Sequence, residues 1–266
     1  MKKPKNLRRL GASPDLTNHR SVSAPRASTA FLRLPQIDMA RGLALIAMMI
    51  YHLCFDLNYF GWIQIEQLRD PFWIWLRTLI LSSFLLLAGI SLHLRLQHQI
   101  TSQRWWRRWA QVAAAALLVS AGSYAVFPQT YIYFGVLHFI ALALLLAWPL
   151  RQRLAQCPDF FLLGLGAVIG CAPYLWSNAL FNPRSLNWLG FTTILPRTED
   201  YVPLFPWLAL ILWGVILGRK LSNKPPRSLS RISASLSWLG QRSLLVYLLH
   251  QPLFMAILTG LTYLRP

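Results

Sequence analysis

Charge is what this chain has least of. Only 13% of its 266 residues are charged and eight are acidic, against about a quarter charged in an ordinary soluble domain. A soluble domain of this length has no use for so much apolar sequence. Cysteine is scarce too. Cys54, Cys157 and Cys171 form no CxxC pair, which argues against a disulfide framework and against a metal site. Two of the three lie in apolar segments and read as packing residues. The few acids stand against 26 Lys and Arg, for a net charge of +18. In a soluble protein that excess would suggest nucleic acid. No soluble domain with interleaved Arg and aromatic residues is found, so no nucleic-acid partner is expected.

What the chain has instead is hydrophobic length. No charged residue lies between Arg108 and Arg151, between Asp159 and Arg184, or between Arg242 and Arg265. A bilayer-crossing helix takes about 20 apolar residues, so the first gap holds two spans and the others one each. The fold class is therefore all-α, a polytopic transmembrane helical bundle of about seven spans. They fall at 40–61, 72–94, 107–127, 132–150, 160–181, 203–219 and 243–264. With the N-terminus cytoplasmic, 21 Lys and Arg fall on inner segments and four on outer ones, leaving Arg77 in the membrane. The reverse orientation would invert this positive-inside bias. Residues 1–33 are basic and rich in Ser and Pro, with no apolar face to bury. They are expected to form a disordered cytoplasmic tail, ahead of one transmembrane domain over 34–266. They show no signal-peptide core, and their composition also resembles a transit peptide. Trp105 and Trp106, beside Arg104 and Arg107, read as an interfacial belt. Gly164, Gly166 and Gly170 read as a site of close helix contact.

The chain is organised around residues 34–61. Asp38 and Arg41 form a charged lip, an apolar helix runs from Gly42 to Leu53, and it carries His52 and, one turn later, Asp56. At that spacing the two side chains share a helix face. Ionisable groups inside a membrane span are costly and point to function. Counting about 1.5 Å of rise per residue from the membrane edges gives a ladder from the inner leaflet to the outer. It runs His250, His52, Asp56 level with Arg77, then His138. Each rung also has a plainer reading. His52 could be a core histidine bonded to a backbone carbonyl. Asp56 and Arg77 could be an ion pair joining the first two spans, or Arg77 could snorkel outward. His138 could be a wetted interfacial residue, and His250 a satisfied imidazole beside the Pro252 kink. Asp38 and Arg41 could be a local pair, or Arg41 could face an anionic ligand.

Several motifs, in order, carry a resemblance. Leu34-x-x-Ile37-Asp38-x-x-Arg41-Gly42-Leu43-Ala44 is followed by Tyr51-His52 and Phe55-Asp56-Leu57. Then come Leu86-x-x-Gly89-Ile90-Ser91, Phe134-Gly135-Val136-Leu137-His138, Asp200-Tyr201-x-Pro203-x-x-Pro206-Trp207 and Ser243-Leu244-x-x-Tyr247-x-x-His250-Gln251-Pro252. Over about residues 33–258 the chain resembles a bacterial membrane family related to the catalytic domain of heparan-alpha-glucosaminide N-acetyltransferase. The stretch from Arg41 to His52 also resembles the first helix of the family-3 membrane acyltransferases, in which the histidine is considered catalytic. One departure is specific. The eukaryotic branch places a reactive histidine just before span two, where this chain reads Asp70-Pro71-Phe72-Trp73.

The resemblance implies a multi-pass protein of the bacterial inner membrane. It would move an acetyl group from cytosolic acetyl-CoA to a sugar amine or hydroxyl, on a glycan or small-molecule acceptor, across the bilayer. The catalytic residues would be His52 as base, Asp56 orienting its ring, and His138 or Arg77 facing the oxyanion. Arg41 and the basic inner loops would attract the phosphates of acetyl-CoA, with Arg77 and His250 on the wall of the same site. Two other classes stand beside this one. A proton-coupled transporter would use the same ladder as a relay, although no inverted repeat is visible. A scaffold protein would use every polar group for helix packing alone.

Overall fold

Helix starts follow local chemistry. The computed structural model describes residues 34–67, 69–223 and 230–264; the expected tail at 1–33 lies outside the described residues. Helices α1 (Pro35–Tyr59) and α2 (Pro71–Gln97) each open on proline, which loses no hydrogen bond there. Asp70 caps α2 by accepting from the Phe72 amide at 2.8 Å. Thr101 caps α3 (Ser102–Val126) in the same manner. There follow α4 (Val136–Gln156), α5 (Asp159–Leu175), α6 (Leu204–Ser222), the short α7 (Arg231–Gln241) and α8 (Ser243–Tyr263). The described residues are all-helical, with no strand, only one isolated bridge, Phe134 to Tyr201.

Each stretch expected to span coincides with a helix. Five of them, α1, α2, α3, α6 and α8, are long and apolar enough to cross a membrane. α4 carries Arg151 and Arg153 in its last turns. α5 has 17 residues, which at 1.5 Å each is about 26 Å against a hydrocarbon core of about 30 Å. The expected fifth span runs to 181, but the helix stops at Leu175. Trp176 is extended there, and Asn178 caps a separate 3-10 turn over Ala179–Phe181.

Glycines set the closest approaches. A methyl group at Gly89 would overlap the Ile211 carbonyl, and one at Gly214 the Leu86 carbonyl, so α2 and α6 touch backbone to backbone. α7 docks on α1 in the same way. Gly42 lies under the Leu236 carbonyl and Gly240 against the Asp38 carbonyl. In α5 only Gly166 is confined, by the Trp213 indole; Gly170 makes an ordinary contact and Gly164 faces open space. The belt reading of Trp105 is also corrected. Its side chain is 3% exposed and packs on Trp148 at 5.4 Å between centroids, inside the core.

Leu85, Phe139, Leu162 and Val215 are enclosed at the centre, while Leu79, Leu117, Leu118, Phe160, Val168 and Leu253 face outward. A surface so apolar suits lipid rather than water. One end of the bundle is tied by Arg219, which donates to Leu154 O, Cys157 O and the Asp159 carboxylate. Arg41 and α7 share this basic end. At the other, the loop end, Tyr59 packs on Phe127 and the Trp62 indole donates to Thr262.

Candidate active site

α1 and α8 bring two of the ladder histidines into edge-to-face contact. The His52 and His250 rings lie 5.1 Å apart between centroids, with planes at 61°. Nδ1 of His250 is 2.8 Å from the Tyr247 carbonyl. A carbonyl only accepts, so Nδ1 carries the hydrogen and the neutral ring keeps its lone pair on Nε2. That Nε2 is buried and has no partner.

Asp56 follows His52 by one turn and is 1% exposed. Its Oδ1 accepts from Gln251 Nε2 at 2.6 Å, so the residue after His250 holds the residue one turn after His52. Asp56 Oδ2 and Gln251 Oε1 are buried without partners. Close by, Gln67 donates to the Tyr51 carbonyl at 3.3 Å, and its own carbonyl oxygen is also unpaired. The buried acceptors around the two histidines thus outnumber the donors offered to them.

Of the two plainer readings of Arg77, the ion pair with Asp56 is not formed. Among the described residues the ion pairs are Asp38 with Arg41 and Asp159 with Arg219. Asp56 and Arg77 match in depth but not in direction. Ile80 and Leu85 take the inward face of α2, and Arg77 turns to the surface. It lies within electrostatic reach of Tyr51 and of Asp200. Nor does Asp56 hold the His52 ring: its Oδ1 accepts from Gln251 and its Oδ2 has no partner.

His138 sits apart, at the corner of α3 and α4. Its Nδ1 accepts from the Gly135 amide at 3.3 Å, and its Nε2 lies 3.0 Å from Ser120 Oγ, which itself donates to Ile132 O at 2.6 Å. Both ring nitrogens are therefore engaged within that corner. Arg41 donates to Asp38 at 2.6 Å and to Ser91 Oγ at 2.8 Å, which ties α1 to α2.

The sequence motifs meet in pairs. Arg41 of the first touches Ser91 of the second. Asp200 accepts from the Val136 amide at 2.8 Å, and the position of its carboxylate leaves no room for a Cβ on Gly135. Asp56 of the first touches Gln251 of the last. The family model for heparan-alpha-glucosaminide N-acetyltransferase, catalytic, matches residues 33–252. The chain belongs to that family. The match takes in all three contacts and closes just after Gln251. As a member of the heparan-alpha-glucosaminide N-acetyltransferase catalytic family with several membrane-length apolar helices, the chain is a multi-pass membrane protein, acetyltransferase-like in general function. No curated protein and no solved structure matches it.

Gln251 is the site residue that sequence reasoning passes over. Its signal was a neutral amide in an apolar run beside His250, a residue type that rarely sits in a membrane span without a bonding partner.

Proposed function

We propose that the chain is an integral membrane acyltransferase of the bacterial inner membrane, N-terminus inside. It takes an acetyl group from cytosolic acetyl-CoA and delivers it to an amine or hydroxyl of a sugar or glycan at the outer face. The observation that carries this reading is the meeting of His52 and His250 beside unpaired acceptors on Asp56, Gln251 and His250 itself. Buried polar atoms nearly always have partners. A group of acceptors without donors suits an incoming N–H or O–H, which is what an acetyl acceptor brings.

In this reading the histidine pair takes the proton of the attacking amine or hydroxyl. The new bond forms at the thioester carbonyl carbon, the C–S bond breaks, and the proton passes to the departing thiolate. Asp56 and Gln251 orient the nucleophile. His138 braces the α3–α4 corner. At the basic end, Arg41, Arg95 and Arg108 come from three helices, are half-buried, and lie within electrostatic reach of one another. Such a cluster supports binding of the phosphates of coenzyme A.

The test supplies radiolabelled acetyl-CoA to inverted vesicles. The wild type labels a molecule on the far face, and His52→Ala inserts normally but labels nothing. Undiminished labelling by His52→Ala would remove the histidine from the chemistry. Solute uptake with no acetyl-CoA consumed would favour a transporter instead.

A further inference from the structure

A second polar site lies at the loop end, away from the histidine pair. The connection from α3 to α4 and the long segment between α5 and α6 border a half-open cavity of about 390 Å³, within the usual size range of about 300–1,000 Å³ for small-molecule sites. Its lining includes Thr130, Tyr133, Asn182, Arg184, Asn187 and Arg197. Both charged side chains on the lining are arginines. The nearby Glu199 is exposed and is not on the lining; one of its carboxylate oxygens accepts from the Thr130 hydroxyl.

The wall is built rather than loose. Arg184 stacks over the Tyr131 and Tyr133 rings at 5.4 and 5.5 Å and donates to Gln129 O at 3.3 Å. Asn182 is bonded to Thr193 through both ends of its amide. Asn187 is 1% exposed and donates to the Tyr133 hydroxyl at 2.7 Å, yet its own Oδ1 has no partner. The Tyr201 hydroxyl fixes the Asn187 backbone at 2.6 Å.

These groups make two demands on a ligand. The arginines call for an anion, with guanidinium donors suited to phosphate or carboxylate. The unpaired Asn187 Oδ1 calls for a donor, which a fully ionised inorganic anion such as sulfate does not bring. A neutral sugar meets the second demand and fails the first. We propose that this cavity binds a hydroxyl-bearing anion, a phosphorylated or carboxylated sugar-like headgroup, and that it is where the acetyl acceptor docks. The docking role rests on the acyl-transfer reading; the binding does not.

The test uses the full chain in phosphatidylcholine nanodiscs, titrated with glucose 6-phosphate, glucose and sulfate and followed by calorimetry. Glucose 6-phosphate should saturate, with glucose and sulfate each weaker by about tenfold or more, the loss of roughly one hydrogen bond. Arg197→Gln should weaken glucose 6-phosphate by about tenfold with an unchanged melting temperature, because that side chain is exposed. Arg184→Gln should act in the same direction. His52→Ala should bind as the wild type does, so loss of transfer and loss of binding can be told apart. A second set of nanodiscs contains phosphatidylglycerol, whose headgroup carries both a phosphate and hydroxyls. Displacement of glucose 6-phosphate there identifies a lipid headgroup as the source, and no displacement a soluble one. The proposal is overturned if glucose or sulfate binds as tightly as glucose 6-phosphate. It is also overturned if both arginine variants bind like the wild type, or if neither glucose 6-phosphate nor phosphatidylglycerol binds.

Discussion

The Gln251 amide donates to the buried Asp56 carboxylate at 2.6 Å and so joins the last long helix to the first. Removing the amide strands a carboxylate that is 1% exposed. Gln251→Leu should therefore destabilise the protein by about 1–3 kcal/mol, the cost of an unsatisfied buried polar group. Asp56→Asn keeps an acceptor for Gln251 and should cost less. Melting in detergent checks both, and a Gln251→Leu variant that melts with the wild type would show that the bond contributes nothing.

The docking of α7 on α1 leaves no space at two glycines. Gly42→Ala and Gly240→Ala push a methyl into the Leu236 and Asp38 carbonyls, and overpacking of this kind costs about 1–3 kcal/mol. Gly164→Ala meets open space on α5 and should be neutral or slightly stabilising, by up to about 1 kcal/mol of helix propensity. Protease cleavage of the link before α7 measures the docking directly. Faster cleavage is expected for the first two variants and not for the third.

Arg219 answers three acceptors at once, Leu154 O at 2.7 Å, Cys157 O at 2.6 Å and the Asp159 carboxylate at 2.6 Å. The carbonyls belong to the end of α4, where no helical partner is available. Lysine has the charge but not the planar fork. Arg219→Lys should thus cost about 1–3 kcal/mol, read as a lower melting temperature. Asp159→Asn should cost less, because that carboxylate side chain is 46% exposed and surface ion pairs are worth little.

Asp200 lies in the connection before α6 and caps α4 through the Val136 amide. Burial pushes its carboxyl above the ordinary 3.8, while the Val136 N–H and the Arg77 charge pull it back down. A carboxyl raised in this way holds its proton more tightly folded than unfolded. Its contribution to stability is complete below the unfolded value and is lost as pH rises through the folded one. Asp200→Asn keeps the acceptor for Val136 and does not ionise, so its melting temperature should vary less between about pH 4 and 7. Parallel profiles for variant and wild type would show that another group titrates.

Depth can be counted along a sequence, but direction around a helix cannot. This is why Asp56 and Arg77 read as a pair from their shared level, while in the fold Arg77 faces outward and the neutral Gln251 takes its place. The three uncharged runs were enough to locate α3, α4, α5 and α8, because an apolar segment of that length has few other options. They were not enough for α7, whose eleven residues lie among Lys, Arg and Ser and gain their place only from the glycine contacts with α1. They also mislead at residues 176–181, where an apolar run leaves the helix because Asn178 starts a new turn. The His52–His250 contact requires α1 and α8 to be neighbours, and no hydropathy trace carries that. The plainer reading of His138 was a wetted interfacial residue; its bonds to Ser120 and Gly135 appear only in three dimensions.

The most direct measurement compares acetyl transfer from labelled acetyl-CoA by His52→Ala, His250→Ala and the double variant, each inserted to the wild-type level. Residues that act as one unit lose as much singly as together. The expected result is that either single substitution lowers the rate as far as the double does. A single variant that transfers acetyl at the wild-type rate would contradict a shared role for the two rings.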